Sequence, residues 1–291
     1  MELRLLKYFL AVAREGSVTG AAERLHITQP TLSRQIRELE EELGQTLFVR
    51  GSRSVSLTGE GLLLQRRAEE ILDLVDKTER EVSQADKELS GDIYLGAGET
   101  VGVQLLTGAA RRLHAPGVCF HLYSGDSMEI VDRLEKGLID FGLVFAPVDL
   151  TRYHAVTLPH RDTWGLLVRE DHPLAGQKSV TQEQLLGQPL ILSRQALKNG
   201  LLSDWFGSRA SRVQVAGTYT LVFNGSLMVR SGMGCAVCLD QILNTAVTDL
   251  RFLPLEPPRQ AESYLVWKRH QRFSPAADRY REALLEELAQ P

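Results

Sequence analysis

The sequence has no long hydrophobic run and no excess of positive charge. No apolar stretch reaches the roughly 18 residues that a membrane-spanning helix requires, so we expect no membrane partner. Residues 1–16 lack the charge order and the small-residue cleavage site of a signal peptide, and we therefore expect a cytoplasmic protein. The net charge is −4, so no overall positive field points to nucleic acid. A charge of this size does not exclude a small DNA-binding domain within the chain.

Cysteine is scarce as well. The three cysteines, Cys119, Cys235 and Cys238, are an odd number, which argues against a disulfide framework. The segment CAVC, residues 235–238, has the CxxC spacing of redox and metal sites, but no second pair and no nearby His accompanies it. We favour a buried strand in which cysteine serves as a small hydrophobic residue. We expect neither a metal ion nor another cofactor.

The first 58 residues have the pattern of a compact helical domain. Apolar residues recur with the period of one buried helix face at Leu6, Phe9, Leu10 and Ala13. Gly16 ends this helix, and Ser17 or Thr19 can cap the next one. Thr28 can cap a third helix and places Pro30 in its first turn, where the missing N–H costs nothing.

The third helix has an unusual exposed face. Its predicted buried stripe consists of Leu32, Ile36, Leu39 and Leu43, and Gly44 closes it. The opposite side carries hydrogen-bonding and basic groups of several lengths instead of the usual Glu and Lys. The following segment, LFVRGSRSVSLT, residues 47–58, predicts two short strands around a turn, a wing that carries Arg50 and Arg53.

This exposed face has the chemistry to read DNA. The major groove admits one helix, in which Gln can pair with adenine, Arg with guanine, and Ser or Thr with a base or a phosphate. Residues 1–58 carry eight Lys or Arg and seven Glu, a net of +1, so the placement of the arginines argues for DNA and the total charge does not. Any single arginine could be an ordinary solvated charge. The predicted DNA-binding residues are Ser17, Thr19, Thr28, Gln29, Pro30, Thr31, Ser33, Arg34, Arg37, Arg50 and Arg53.

A long helix follows, with one narrow apolar stripe. Its members are spaced alternately by four and three residues: Leu64, Ala68, Ile71, Val75, Thr78, Val82 and Ala85. The stripe can pack against its own domain or against a second copy of the helix. We favour the dimer, because a stripe this narrow is typical of a coiled coil.

The pattern changes after LSGD, residues 89–92. Strands and helices then alternate as βαβαβ, which predicts a mostly parallel sheet, and a second α/β set of similar build follows. Two such halves suggest a clamshell with a cleft between them.

The segment from Leu6 to Arg50, LKYFLAVAREGSVTGAAERLHITQPTLSRQIRELEEELGQTLFVR, resembles the winged helix-turn-helix of LysR-type transcriptional regulators. The matching residues are Phe9, Ser17, Ala21, Ala22, Leu25, Gln29, Pro30, Ser33, Ile36, Leu39, Glu40, Leu43 and Gly44, together with LFVR and the LT before the long helix. GMGCAVCLD, residues 232–240, is similar to a glycine-rich turn of the family's sensor, although the family more often has Pro where Asp240 stands.

The resemblance implies a multidomain fold. An N-terminal all-α winged helix-turn-helix occupies residues 1–58, a dimerising linker helix 59–89, and an α/β periplasmic-binding-protein-like sensor 90–291. The sensor has two subdomains, I at about 90–161 and 266–291 and II at about 162–265. The implied partners are double-stranded DNA, a small-molecule effector and further copies of the chain, which form a homodimer through the linker helix and then a homotetramer.

The effector of such a fold lies between the two halves, at strand ends and helix N-termini. The candidate effector-binding residues are Thr100, Val101, Ser127, Ser193, Arg194, Thr218 and Tyr219. The resemblance implies contacts at Thr100, Ser127 and Ser193 or their neighbours, although each can also be an ordinary cap or loop residue. Helix N-termini favour anions, so a small carboxylate or phosphate is our hypothesis. Glu99 and Asp126 argue against an anion.

An enzyme and a solute-binding protein are the alternative interpretations. GAGETVG, residues 96–102, lies between a predicted strand and helix as a dinucleotide-binding loop does, but Val101 stands where the third glycine belongs. A solute-binding protein would have the same clamshell but would need export. We therefore predict a sequence-specific transcriptional regulator, modulated by a small-molecule effector, and not an enzyme.

Overall fold

The computed structural model describes residues 1–51, 54–83, 89–113, 115–198 and 200–289. The chain divides into two compact units, Met1–Ser83 and Gln84–Pro291. Among the helices in the described ranges, none is both long enough and apolar enough to cross a membrane.

The first unit consists of helices and one hairpin. Its helices are α1 (Leu3–Glu15), α2 (Val18–Arg24), α3 (Gln29–Leu43) and α4 (Gly59–Ser83). The hairpin pairs β1 (Phe48–Arg50) with β2 (Val55–Leu57) in antiparallel register. Its core lies between the helices, where Phe9 of α1 is fully buried and its ring lies 5.2 Å from that of Phe48.

Local capping fixes the ends of the short helices as predicted. Gly16 ends α1 in the left-handed conformation, with φ of 58°. Of the two expected caps for α2, Ser17 is the one used: its hydroxyl accepts a hydrogen bond from the Gly20 amide at 3.3 Å. Thr28 caps α3 by accepting a hydrogen bond from the Thr31 amide at 3.4 Å, and Pro30 lies in the first turn. These predictions are confirmed.

The predicted buried stripe of α3 is correct except at its end. Leu32, Ile36 and Leu39 are buried in the core of the first unit, but Leu43 is 38% exposed. Leu43 lies in the last turn before Gly44, beyond the residues that form this core.

The first half of the apolar stripe on α4 is intramolecular. Ala68 is fully buried, and Leu64 and Ile71 pack against the core of the same unit. Val82 in the second half is 72% exposed, and Ala85 lies outside the described residues. We favoured pairing of this stripe with a second copy of the helix. That prediction is wrong for the first half of the stripe, because there α4 covers the core of its own unit beside α1.

The start of α4 is fixed to the segment before the hairpin. The Thr58 hydroxyl donates to the Thr46 carbonyl at 2.7 Å and accepts from the Gly61 amide at 3.0 Å. The Leu47 carbonyl accepts from the Thr58 amide at 3.0 Å. Gly61 packs so closely on this segment that a Cβ atom there would lie 2.2 Å from the Leu47 oxygen.

The second unit contains two sheets, and the first of them has five strands. In spatial order these strands are β4 (Gly117–Ser124), β3 (Ser90–Ala97), β5 (Phe141–Phe145), β14 (Ser263–Lys268) and β6 (Tyr153–Thr157). The first three are parallel to one another, whereas β14 runs antiparallel to both of its neighbours. The helices that pack against this sheet are α5 (Val103–Leu113), α6 (Ser127–Glu135) and α11 (Pro275–Leu288).

The second sheet has seven strands. Six follow one another in the spatial order β10 (Gln214–Tyr219), β9 (Pro189–Ser193), β11 (Cys235–Leu239), β7 (Asp162–Arg169), β12 (Leu250–Glu256) and β8 (Val180–Thr181), and β13 (Gln260–Ala261) pairs with β7. The helices of this half are α7 (Gln182–Leu186), α8 (Arg194–Lys198), α9 (Leu201–Phe206) and α10 (Val222–Arg230). Both sheets are mixed, so the predicted mostly parallel sheets are only partly right.

The chain passes between the two sheets twice. The first passage leads from β6 into β7, and the second leads from β13 into β14, a few residues before the boundary expected at about 265. The two passages lie side by side: β13 pairs with β7 at Ala261 and Asp162, and the Leu158 amide donates to the Ser263 carbonyl at 3.0 Å. Asp240 holds the first passage, because its carboxylate accepts from the Thr163 amide at 2.8 Å. Its own N–H donates to the Thr163 carbonyl at 2.9 Å, a bond that proline could not form.

Candidate DNA interface and ligand cleft

The exposed face of α3 carries the predicted reading residues. The exposed ones are Gln29, Pro30, Thr31, Arg34 and Arg37. Ser33 is half-buried, and its hydroxyl accepts a hydrogen bond from the side-chain amide of Gln29 at 2.9 Å. The Arg34 guanidinium lies 3.5 Å from the Glu38 carboxylate, one turn later, and remains 73% exposed. Exposed contacts of this kind cost little to exchange for contacts with a ligand.

The predicted residues outside α3 flank it on two sides. Ser17 and Thr28 are the N-caps of α2 and α3, and Thr19 is exposed in the first turn of α2. Arg50 is the last residue of β1 and pairs with Val55. Arg53, predicted in the turn of the hairpin, lies outside the described residues.

Glu40 ties the hairpin to α3, a role that the sequence did not suggest. One of its carboxylate oxygens accepts hydrogen bonds from the amides of Leu47, at 2.8 Å, and Phe48, at 3.2 Å. Charged acceptors strengthen such bonds, so the hairpin is held at a fixed position relative to the reading residues on the same helix.

A cavity of about 430 Å³ lies between the two sheets of the second unit. Apolar walls come from both halves, including Phe145 and Trp164. Of the seven predicted effector-binding residues, Ser193 and Tyr219 line this cavity. The Tyr219 hydroxyl donates to the Val237 carbonyl at 2.7 Å, and burial raises its pKa well above the ordinary value, so Tyr219 is a neutral wall residue.

Three further predicted residues lie beside the cavity and bond across the two halves. Thr100 is buried, and its hydroxyl donates to the Asp162 carboxylate at 2.7 Å. The Val101 amide donates to the same carboxylate. The Ser127 hydroxyl accepts from the Phe145 amide at 2.8 Å and from the Gln195 side chain at 2.7 Å. The Thr100 hydroxyl also accepts from the Gly102 amide at 3.0 Å, immediately before α5, so Thr100 holds the start of this helix and also bonds to the passage between the sheets.

The remaining two predicted residues are not part of the cavity wall. Thr218 is exposed because side chains alternate along β10, and the next residue, Tyr219, is the one that points inward. Arg194 is exposed at the start of α8, whereas Gln195, its neighbour, lines the cavity.

Acidic residues meet the other half of the unit at three places. The Glu99 carboxylate accepts from the Val222 amide at the start of α10. Asp126 caps α6 and lies 3.7 Å from the Lys198 ammonium group on α8. Asp162, described above, is fully buried, and burial raises its pKa. These groups come together only in the folded chain, which is why sequence spacing gave no sign of their arrangement.

The cysteines of CAVC form part of a buried strand, as we favoured. Cys235 and Cys238 lie in β11, where every residue is buried, and burial raises their pKa to about 11 and about 12, respectively. Both thiols are therefore protonated at neutral pH. Cys119 is exposed on β4.

Two family models together match almost the whole chain. The model described as the bacterial regulatory helix-turn-helix protein, lysR family, matches residues 3–62. The model described as the LysR substrate binding domain matches residues 86–289.

Similar proteins of known sequence are transcriptional regulators. The HTH-type transcriptional regulator YnfL of Escherichia coli K12 is 29% identical over 299 residues, covering 99% of both chains. The DNA-binding transcriptional dual regulator OxyR of the same organism is 32% identical over 194 residues, covering 66% of this chain and 63% of its own.

Solved structures share the fold over the full length. The LysR family transcriptional regulator CbnR has a TM-score of 0.77 at 20% identity and covers 100% of both chains. Full-length CbnR in complex with its target DNA has a TM-score of 0.75 at 21% identity, covering 99% of this chain and 100% of its own. The comparisons give no support to the solute-binding or enzymatic alternative. With a helix-turn-helix unit and an effector-binding domain, the chain belongs to the LysR family of DNA-binding transcriptional regulators.

Proposed function

We propose that this protein binds operator DNA through α3 and the hairpin, as a dimer or higher assembly, and responds to a small molecule held in the cavity of the second unit. One observation carries the proposal. Helix α3 begins at a Thr28 cap and presents Gln29, Thr31, Arg34 and Arg37 to solvent, although a solvated helix has no need of that set. Because its partner is chromosomal DNA, we place the protein in the cytoplasm.

The exposed side chains of α3 have distinct roles in this proposal. Gln29 and Arg34 match adenine and guanine edges, and Pro30 can contact a thymine methyl group. Thr31, Ser33 and Arg37 contact bases or phosphates. The N-terminal amides of α2 and α3, with their capping residues and Thr19, favour phosphate oxygens. Arg50 and Arg53 of the wing contact the adjoining sugar-phosphate backbone of the DNA.

The exposed apolar residues of α4 support a dimer through this helix. Leu62, Leu63, Leu74 and Val82 are 41–72% exposed; Val82 belongs to the stripe that the sequence suggested, and the three leucines lie outside it. Pairing of two such helices would place two α3 helices on half-sites about one helical turn or a multiple apart. A tetramer, formed by pairing of sensor domains, is the larger assembly that we propose.

The cavity supports the effector site. Ser193 and Tyr219 line it from one half and Phe145 lines it from the other, so a ligand bound there would contact both halves. Ser127 adjoins it through the bond with Gln195. A ligand that binds one arrangement of the halves more tightly shifts the equilibrium towards that arrangement. We propose that this shift changes the spacing or bending of the bound DNA.

Fluorescence anisotropy of a labelled fragment from upstream of the gene tests the DNA interface. Arg34→Ala should weaken binding by about 1–3 kcal/mol, the scale of one good base contact, which is roughly 5–150-fold. Arg251→Ala in the second unit removes one charge elsewhere and should leave affinity within about twofold. An Arg34→Ala protein that binds as tightly as the unmodified one would remove Arg34 from the interface. Wild-type affinity should also fall steeply with salt.

Sedimentation velocity tests the dimer. A double variant with Leu74→Asp and Val82→Asp should lower the mass of the assembly, because each chain would bury two carboxylates between the paired helices. Val247→Asp is the matched control, since Val247 is 79% exposed in the second unit. An unchanged mass for the α4 variant would place the interface elsewhere.

A further inference from the structure

We propose that the effector carries a positive charge and that the Glu99 carboxylate binds it. This inference rests on the proposed function, in which the cavity of the second unit is the effector site. It replaces the anionic ligand that helix N-termini at the cleft suggested from the sequence.

The first step is that the helix N-termini at the cleft already hold carboxylates from the chain itself. Asp126 caps α6 by accepting from the amides of Met128 and Glu129 at 3.0 Å. Glu99 accepts from the Val222 amide that begins α10. An exogenous anion would have to displace these groups, which occupy the positive ends of the helix dipoles.

The start of α5 is occupied in the same way. Asp162 accepts from the Thr100 hydroxyl and the Val101 amide, immediately before α5. The starts of α5, α6 and α10 are therefore each occupied by a carboxylate of the chain itself. Helix α8, which also begins at the cavity, has only five residues, and its Ala196 amide donates to the Ser193 hydroxyl at 3.5 Å.

The second step is that Glu99 differs from the other acids of the cavity wall. Asp204 lies 3.7 Å from Arg259, and Glu262 lies 3.4 Å from Arg161. Within the described ranges of the chain, no Lys, Arg or His forms an ion pair with Glu99, which is half-buried and lines the cavity.

The resulting charge is not compensated. A carboxylate has about four lone-pair positions, and the amides of Val222 and Phe223 satisfy only part of them. Burial raises the pKa of Glu99, as expected for a carboxylate that is partly removed from water without a cation. A ligand ammonium group would supply the missing partner.

The third step concerns the net charge of the cavity wall. Among the described residues that line it, the charged ones are three acids, Glu99, Asp204 and Glu262, and one base, Arg259, which is already paired with Asp204. The remaining lining is largely apolar, with Phe145 and Trp164 among the larger side chains. The cavity volume of about 430 Å³ is in the range of small-molecule sites. A compact ligand with an apolar body and one cationic group fits these features.

Ligands with a common skeleton and different charge test the proposal on the full-length protein. The probes are matched sets such as 2-phenylethylammonium, 2-phenylethanol and phenylacetate, with an equivalent indole set, measured by calorimetry and ligand-observed NMR. We expect the ammonium member to bind at least tenfold more tightly than the carboxylate. In Glu99→Gln the preference should fall below threefold, while the amide oxygen still accepts from Val222 and keeps the fold.

Glu262→Gln is the control, because it removes the same charge from the cavity wall at a position paired with Arg161. It should retain most of the preference. Equal or tighter carboxylate binding, no ammonium binding at millimolar concentration, or an unchanged preference in Glu99→Gln would each overturn the proposal. So would an equal loss of preference in Glu262→Gln. DNA affinity, measured in parallel without probes, distinguishes failure of the proposed function from failure of this inference. A protein that does not bind DNA would refute the regulator proposal, whereas the preference of the cavity for a cation would still stand.

Discussion

Replacing Gly61 by alanine should destabilise the first unit, whereas replacing Gly59, two residues earlier on α4, should not. At Gly61 a Cβ atom would lie 2.2 Å from the Leu47 carbonyl oxygen and 3.0 Å from the Leu57 side chain. Non-bonded heavy atoms settle at roughly 3.5 Å, so α4 and the segment at Leu47 would have to separate by about 1 Å. At Gly59 no atom lies within 4 Å of such a Cβ.

The two substitutions should change the free energy of unfolding in opposite directions. Overpacking of this kind costs about 1–3 kcal/mol, and here it opposes the Thr58 hydrogen bonds that hold α4 in place. Gly59→Ala should stabilise by about 0.4–1 kcal/mol, since alanine has fewer conformations to lose on folding. The two variants should therefore differ by roughly 1.5–4 kcal/mol.

Hydrogen–deuterium exchange with mass spectrometry on the full-length protein measures this difference locally. The tryptophans, Trp164, Trp205 and Trp267, all lie in the second unit, so their fluorescence does not report on the first. Peptides from residues 1–83 should exchange about 5–150-fold faster in Gly61→Ala, and peptides from the second unit serve as the internal reference. Equal exchange in the two variants would show that the close contact at Leu47 is not a constraint, and the reasoning would be refuted.

Three further results are expected. Glu40→Ala should speed hydrogen exchange of the amides of Leu47 and Phe48 by one to two orders of magnitude, which corresponds to about 1.5–3 kcal/mol, and should weaken DNA binding. Glu40→Gln should retain part of the protection. Unchanged exchange in Glu40→Ala would contradict the anchoring role. Because burial raises the pKa of Asp162, folding favours its protonated form, and its contribution to stability improves as pH falls through that raised value towards the ordinary carboxyl range. The stability advantage of Asp162→Asn, from denaturant titrations, should therefore be largest at neutral pH and shrink on acidification, and a constant difference would refute it. Iodoacetamide should modify Cys119 in the native protein and spare the two cysteines of β11, whose pKa values are about 11 and about 12; early labelling of β11 would contradict their burial.

The first unit was largely predictable because its signals are local. Thr28 and Pro30 mark a helix start through interactions within one turn, and no distant residue is needed to interpret them. The stripe on α4 shows the limit of periodicity. A repeat of apolar residues predicts a buried face but not the partner, and Ala68 turned out to pack within its own unit.

The cleft was less predictable because its chemistry is assembled from distant segments. Ser193 and Tyr219 could be found at strand ends, but the position of Glu99 at the start of α10 depends on a contact across 123 residues of sequence. The same holds for Gln195 and Ser127, which are 68 residues apart. Strand ends can be read from a pattern, whereas pairing across the cleft depends on the arrangement of two sheets.

The paired passages between the sheets determine how the sensor can move. Two strands joined by hydrogen bonds, at Ala261 with Asp162 and at Leu158 with Ser263, resist sliding and independent rotation, so bending about a single axis is the soft motion left to the halves. Ala261 also lines the cavity, so an occupant touches the pivot itself. A molecule bound in the cavity would therefore contact the hinge directly, and its size would bear on the angle between the halves.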